Sequence, residues 1–530
     1  MQRSAGGGNT IGQMLREVVQ RSPSRPFFYV DDRVYSYEKL DELSDRFATA
    51  LLEHGVQKGD RIAILAYNQP EWLIAFFAAA KIGAAVVALS VRYRDTELEY
   101  MLNQSKVKLL VSIDATPEFC FRDFFASFRE KIPTVQQFVF IGEGFPGSLS
   151  FDELLKTDRR PDLLAEAGQA CSECDTMSII YTSGTTGRPK GALLTHKSML
   201  ASARAQAAHF DIQETDITAA HMPFNHVGGL TCAVLTALVS RSSLVLIPNF
   251  RPDLVLEAID KYRITVFGGV PTMFVMMFNM PRFHEFDVSS VRLCIAGGSN
   301  VEPQLCREIV EKFPSTKLVN LYGLSETSGA CIISPMNDSL EKVMQSIGKP
   351  IGDFQAKVIG KDGEELPPGE IGELAIQGAC VVAGYDGLED ATKEAFSADG
   401  WLYTGDMAYL DEEGYVYLKG RKKEMYIQGG FNVYPVEIEN LLTTHPKVAI
   451  AAGIGIPDPV FGEVGRYYIL PKAGYEVTED ELLAFCRQHL ADYKVPRQFV
   501  IVDDLPLTPA GKVQKSLLKQ MAAAEFQSSE

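Results

Sequence analysis

Met177-Ser178-Ile179-Ile180-Tyr181-Thr182-Ser183-Gly184-Thr185-Thr186-Gly187-Arg188-Pro189-Lys190-Gly191-Ala192-Leu193-Leu194 is the stretch on which the reading of this chain turns. Two short apolar runs flank a loop of hydroxyls and glycines that ends on one lysine. The pattern predicts two strands joined by that loop. Glycines let a backbone come close to a ligand, and a concave run of N–H groups binds anions. The hydroxyls of Thr182, Ser183, Thr185 and Thr186 add donors, and Lys190 adds a mobile charge. The ligand this predicts is a polyphosphate. It is not a Walker A loop, in which Gly-Lys-Ser/Thr opens a helix; here Pro189 precedes the lysine and Gly191 follows it. A flexible polar hairpin is the plain alternative, and the length of the string speaks against it.

Outward from the loop, 530 residues are enough for at least two domains, because single cores stop growing near ~250–300 residues. A hydrophobic content of 46% with 22% charged residues is that of a soluble globular protein. A net charge of −17 argues against nucleic acid as a partner and requires a local positive site for any anionic substrate. Residues 1–9 are polar and glycine-rich, lack the apolar core of a signal peptide, and are expected to be disordered. Trp72 to Leu89 is apolar over a length that suggests a membrane span. Lys81 and Gly83 break it, and it reads instead as a buried helix (72–82) and a buried strand (84–89). No transmembrane segment is expected, and the location expected is cytoplasmic. The nine cysteines show no metal spacing. Cys171-Ser172-Glu173-Cys174 is a lone CxxC, so reduced thiols are expected.

Strand and helix patterns alternate through the first four hundred residues: strands at 61–66, 84–89, 108–111 and 243–246, helices at 71–81, 96–103, 198–208 and 254–262. That is α/β architecture with largely parallel sheets covered by helices. From Ile347 to Tyr417 short strands alternate with turns, which predicts a small β-barrel or meander. After Arg421 the pattern becomes α+β, with helices at 435–442 and 478–490 and strands at 448–454 and 466–470. The domain boundary is placed near Lys422–Lys423: a large unit of residues 10–422 and a small mobile one of 423–530.

Further strings stand along the chain in order: Ala296-Gly297-Gly298-Ser299, Asn320-Leu321-Tyr322-Gly323-Leu324-Ser325-Glu326-Thr327, Tyr403-Thr404-Gly405-Asp406, Gly420-Arg421-Lys422-Lys423-Glu424, Gly429-Gly430-Phe431-Asn432 and Pro506-Leu507-Thr508-Pro509-Ala510-Gly511-Lys512. With the first loop they resemble the motifs of the adenylate-forming superfamily, which holds acyl-CoA synthetases, firefly luciferase and the adenylation domains of peptide synthetases. The resemblance runs from about Arg33 to about Leu518.

The resemblance implies a carboxylic acid attacking the α-phosphate of ATP, then transfer of the acyl group to coenzyme A. Such chemistry depends on positioning and charge neutralisation more than on proton transfer. Thr182, Ser183, Gly184, Thr185, Thr186, Gly187 and Lys190 would hold the phosphates. Glu326 would take Mg²⁺ with help from Thr186. Gly298, Ser299, Asn300, Asn320, Leu321, Gly323, Leu324, Ser325 and Thr327 would frame the nucleotide, with Tyr322 stacked on the base. Asp406 would accept the ribose hydroxyls and Arg421 would assist. His226 would border the carboxylate, and the acyl pocket would include Val270, Gly297, Gly323 and Gly329. Gly329 and Ala330 are small and leave room there. Lys512 would bridge carboxylate and α-phosphate, although by composition alone it reads as a solvated loop lysine. Lys423 would be the hinge of a swing that replaces Lys512 with the Gly429-Gly430-Phe431 loop for CoA. Tyr426 and Gln428 depart from the family pattern, which puts the CoA phosphate contacts in doubt.

Amino-acid-activating domains place an aspartate around Asn225–Gly228. This chain has none, so the expected acid is uncharged beyond its carboxylate, fatty or aromatic. The alternatives are loading of a carrier protein, luciferase-like oxidation after adenylation, and an inactive ATP-binding scaffold, against which the intact Lys190, Glu326, Asp406, Arg421 and Lys512 argue. A homodimer is left open.

Overall fold

The computed structural model describes residues 9–182, 188–299, 301–508 and 511–527. Among them, two large sheets are stacked with helices between and outside them. The first sheet has nine strands. Its middle runs Lys317–Leu324, Leu293–Gly297, Val266–Gly269, Ile217–Ala220, Ser243–Leu246, Pro26–Val30, all parallel, with antiparallel strands at both edges. The second has seven: Lys190–Thr195, Thr176–Thr182, Ala85–Leu89, Arg61–Leu65, Leu109–Ile113, Gln137–Ile141 and Leu149–Ser150. All its neighbours are parallel except the first pair. Parallel strands covered on both faces need continuous apolar runs, and Ala85–Leu89 and Leu109–Ile113 are buried at every position.

Helices Tyr37–Glu53, Pro70–Ile82 and His196–His209 fill the space between the sheets around Trp72, Phe76, Met199 and Leu238. Pro252–Tyr262, Pro271–Phe278 and Pro303–Lys312 cover the outer face of the first sheet. The apolar 72–89 stretch is the expected buried helix and strand, separated by Gly83 at φ 73°. Lys81 is tolerated inside because its fully buried ammonium meets Asp41 Oδ1 at 2.6 Å, Asp45 Oδ1 at 2.7 Å and Ser44 Oγ at 2.8 Å; burying it unpaired would be prohibitive.

Residues 355–421 form an antiparallel meander, Gln355–Ile359, Gly372–Gln377, Leu402–Leu410 and Val416–Arg421. Among the described residues no ladder joins its first and last strands, so of the two forms expected it is the meander rather than a closed barrel. A separate five-stranded sheet follows from Tyr426, backed by helices Pro435–Thr443, Glu479–His489 and Lys515–Gln527. Of residues 1–9, expected to be disordered, 1–8 lie outside the described residues. Asn9 is tied to the first helix, its N–H donating to Gln13 Oε1 at 3.1 Å. Cys171 and Cys174 are free thiols, and no helix among the described residues is long and apolar enough to cross a membrane.

Candidate active site

Ser183, Gly184, Thr185, Thr186, Gly187 and Asn300 lie outside the described residues. The strands on either side of the first loop are where the sequence puts them: Thr182 pairs with Lys190 across the hairpin. β-Branched and aliphatic residues at 179, 180, 193 and 194 suit a pleated, half-buried surface. The outer edge of that hairpin is covered by residues 383–386, with Leu193 N donating to Gly384 O at 2.9 Å and Asp386 N to Gly191 O at 2.8 Å. Asp386 is in turn held by both guanidinium nitrogens of Arg61, at 2.9 and 2.8 Å.

That strip brings in a residue the sequence reading missed. Tyr385 donates its hydroxyl to Glu326 Oε1 at 2.7 Å, and the Lys190 ammonium stands 5.1 Å from the centre of its ring. Burial and then the Glu326 carboxylate hold the phenol well above its ordinary range, so it stays a donor. Tyr385 thus orients the carboxylate and rests against the lysine. Its signal in the sequence, an aromatic between Gly384 and Asp386, is no stronger than that of any turn.

Asp406 and Arg421 are paired across the meander's last ladder. Arg421 Nε donates to Asp406 Oδ1 at 3.0 Å and Tyr322 Oη to Oδ2 at 2.6 Å. Asp406 is buried, and Asp406 raises the guanidinium's pKa. Burial and the same carboxylate hold the Tyr322 phenol well up. This is no surface ion pair, and Tyr322 is fixed by its hydroxyl as well as its ring.

Strand Lys317–Leu324 and the turn after it carry the central string. Asn320 N donates to Ser334 Oγ at 3.1 Å, and Thr327 is fully committed to the backbone: Leu324 N donates to its oxygen at 2.9 Å while it donates to Gly329 O at 2.7 Å. Leu321, Gly323 and Leu324 are partly exposed, Ser325 is buried, and Ser299 lies exposed beyond Gly298 at φ 77°. The glycines do something other than leave room. A Cβ at Gly297 would run into Leu321 O, and one at Gly323 into Gly329 O. They permit close strand packing. At Gly329 a Cβ would stand 3.0 Å from Ser202 Oγ and 3.3 Å from Cys232 Sγ, so the space beside it is already bounded.

Lys512 comes from the far end of the chain and arrives here. Its loop is closed on itself, Lys512 N donating to Thr508 Oγ1 at 3.0 Å and Thr508 N to Lys512 O at 2.7 Å. It is docked on the large unit: Thr272 Oγ1 donates to Gly511 O at 2.7 Å, and Val270 and Met273 face Gly511. The Lys512 ammonium lies 4.0 Å from the Cβ direction of Gly298. Burial, then the Arg421 charge, bring it down to about 8, against the pull of Asp406 and Glu326. His226 accepts from Gly228 N on Nδ1 at 3.0 Å. Burial and the Lys512 charge bring it down to about 3, so it is a neutral imidazole. Lys423 sits in the turn after Arg421, lowered by burial and by Arg421.

The Gly429-Gly430-Phe431 hairpin is not part of this assembly. Gly429 and Gly430 have φ of 59° and 87°, the values of a tight hairpin turn. The described partners of the hairpin are Phe461 and Tyr493, within the small unit. Tyr426 and Gln428 prove to be core of that unit: Tyr426 is buried, and Gln428 Nε2 donates to Tyr493 O at 2.6 Å while Gly465 N donates to its Oε1 at 3.1 Å. They are not placed to meet a CoA phosphate.

A half-buried carboxylate oriented by a phenol, a carboxylate–guanidinium pair, a hydroxyl- and glycine-rich loop and a docked lysine together suit an acid and a nucleoside triphosphate. The chain belongs to the AMP-binding enzyme family: the family model matches residues 15–386, and the model of the AMP-binding enzyme C-terminal domain matches 437–512. Within the adenylate-forming superfamily it stands on the acyl-CoA synthetase branch, as an AMP-forming acyl-CoA ligase that uses ATP, Mg²⁺ and coenzyme A with a small carboxylic acid. It is 33% identical to the putative acyl-CoA synthetase YngI of Bacillus subtilis, over 98% of both chains. It is 32% identical to the mitochondrial medium-chain acyl-CoA ligase ACSF2 of Rattus norvegicus, over 96% of this chain and 87% of the other. Its fold matches that of ATP-bound MatB from Rhodopseudomonas palustris with a TM-score of 0.87 at 30% identity, over 96% and 98% of the two chains.

The donor set fits magnesium. Glu326 is a single carboxylate bonded to Tyr385, the ring on which Lys190 rests, and Mg²⁺ in such sites takes its other ligands from phosphates and water. Among the described residues no group of three or more His, Cys, Asp or Glu forms a protein-only cage. Bound there, the ion would supply charge neutralisation on the phosphates.

Proposed function

We propose that the protein activates an apolar carboxylic acid, fatty or aromatic, as its acyl-adenylate with release of pyrophosphate, and then forms the CoA thioester with release of AMP. The observation that carries the first step is the docking of Lys512. A lysine 18 residues from the end of the chain is seated over Gly298 and Val270, beside Arg421, Asp406 and Glu326. A cation held there is poised for charge developing between a carboxylate and the α-phosphate. In this reading Thr182–Lys190 holds the outer phosphates, with Glu326 and Thr186 as metal ligands, Asp406 reads the ribose and Arg421 assists. The neutral His226 borders the acid.

The apolar acid is supported by the uncharged His226 region and by the relative named as a medium-chain acyl-CoA ligase. The second step would use Lys423 as hinge and bring Gly429, Gly430 and Phe431 to the site, with residues 423–530 moving as one unit. A cytoplasmic location belongs to the same proposal; the ACSF2 relative is named as mitochondrial. Pyrophosphate exchange with a panel of acids, repeated with CoA and product analysis, tests it. The expected result is acid-dependent exchange without CoA and thioester with it. Exchange with amino acids alone, or with no acid, would overturn it.

A further inference from the structure

One short strip of chain, residues 382–386, holds Glu326 by its backbone and by its carboxylate. Val382 N donates to Glu326 O at 3.0 Å, and three residues further on the Tyr385 hydroxyl donates to Glu326 Oε1 at 2.7 Å. The strip is itself fixed. Ala383 N donates to Leu193 O at 3.0 Å, Tyr385 makes an antiparallel bridge with Ala192, and Tyr385 N donates to Thr392 Oγ1 at 3.0 Å. Asp386 is clamped by Arg61, and the Tyr385 ring stands edge-on to Phe396 with the centroids 5.7 Å apart. The turn that carries Glu326 is closed by Thr327, which bonds Leu324 N and Gly329 O. Phenol and carboxylate therefore meet from two anchored backbones.

A hydrogen bond to one oxygen makes the two oxygens of a carboxylate unequal. Oε1 shares its electron density with the phenol proton, and among the described residues the Tyr385 hydroxyl is the only hydrogen-bond donor to the Glu326 carboxylate. Oε2 is left as the stronger donor to a metal. The difference bears on the choice of ion. Mg²⁺ is small, demands near-octahedral ligands and keeps much of its water, whereas Ca²⁺ takes more oxygens in a looser arrangement, both oxygens of one carboxylate included. Hydrogen-bond partners that orient a liganding group tune the affinity of the metal it holds.

We propose that Tyr385 is a positioning residue that sets the metal preference of the site: it holds Glu326 to coordination through one oxygen and so favours Mg²⁺ over Ca²⁺. This rests on the reading of Glu326 as a metal ligand and goes beyond it. The ring does a separate job, since the Lys190 ammonium stands 5.1 Å from its centre. A phenylalanine at 385 keeps the ring for Lys190 and Phe396 and removes only the bond at issue.

The test measures the Kd of ATP for the full chain by calorimetry, with MgCl₂, with CaCl₂ and with EDTA, and without any carboxylic acid, so that no turnover enters. ATP should bind the unaltered protein more tightly with magnesium than with calcium. Tyr385→Phe should weaken binding with MgCl₂ about 10–100-fold, the scale of losing a partner that orients a metal ligand. Binding with CaCl₂ and with EDTA should stay within a few-fold, so the preference for magnesium collapses. No preference in the unaltered protein overturns the proposal, and so does a Tyr385→Phe variant that keeps it. An equal loss under all three conditions also overturns it, because that is the mark of a role in folding or in placing Lys190. Glu326→Gln separates the two readings: a variant that retains the full preference for magnesium removes Glu326 from the metal, whatever Tyr385→Phe does.

Discussion

Lys512 carries its charge near the edge of neutral pH, and the direction of the resulting pH dependence follows from its surroundings. Burial and Arg421 bring its pKa from the ordinary lysine range to about 8. The cation exists below that value and is lost above it. Adenylate formation, read as kcat/KM in pyrophosphate exchange, should therefore fall as pH rises through about 8. His226, already neutral far below this range, should add no inflection. Lys512→Ala should reduce exchange by about 10²–10³-fold, the scale of losing one charge-stabilising group, and should spare thioester formation from preformed acyl-adenylate. Equal losses in both half-reactions would mean that Lys512 does not leave the site. Asp406 makes a second case, because Tyr322 and Arg421 already satisfy it from two sides. If it also accepts the ribose, 2′-deoxy-ATP should lose less affinity in Asp406→Ala than in the unaltered enzyme. The two changes should couple by about 0.5–3 kcal/mol in a double-mutant cycle. Simple additivity would remove Asp406 from the ribose.

At the scale of elements, one buried charge network decides where the Lys512 loop can be. Lys515, at the head of the terminal helix, meets Glu439 Oε1 at 2.7 Å and Glu424 Oε2 at 3.0 Å, and Gly453 N donates to Glu439 Oε1 at 2.7 Å. Burial alone would lower the ammonium, but Glu439 and Glu424 outweigh it and hold it above its ordinary range. Glu302, from the large unit, is pushed up to about 8 by burial and by Glu439. Lys515→Met should leave the buried Glu439 and the half-buried Glu424 without their cation and cost up to about 3 kcal/mol, seen as a lowered first melting transition. Adding Glu439→Gln should return part of it. None of this network was legible in the sequence, since acids and lysines dozens of residues apart carry no pattern. The parallel sheets were legible, because strands buried on both faces must be continuously apolar. So were the turns that carry Gly298 and Gly429, because glycine punctuates the chain where φ must be positive. Tyr385 escaped notice because its value lies in what the sheet edge places opposite it. Gln428 stood out in the sequence only as a departure from the family pattern, and its role was not legible because it bonds the backbone of two segments distant in sequence.

Across the whole molecule, the proposed two-step reaction would call for two arrangements, and the one described suits the first. Lys512 is docked over the nucleotide site while the Gly429–Gly430 turn packs against Phe461, away from it. In the proposed second step the Gly429–Gly430 turn would take the place of the lysine loop, which would require the small unit to rotate between half-reactions. The proposed hinge lies in the short link between Arg421, paired to Asp406, and Tyr426, where the first strand of the small sheet begins. Lys423 stands in that turn, spanned by Glu424 N donating to Arg421 O at 3.0 Å. A proline there fixes φ near about −65° and removes an N–H. Lys423→Pro should therefore leave adenylate formation within a few-fold of normal while overall CoA-dependent turnover falls by orders of magnitude, and enzyme-bound acyl-AMP should accumulate in a single-turnover quench. The reverse of the Lys512→Ala pattern is what makes the pair decisive: one variant blocks entry to the cycle and the other blocks its completion. Normal overall turnover in Lys423→Pro would place the hinge elsewhere in 421–426, and loss of both half-reactions would mean that this turn supports the adenylating arrangement itself.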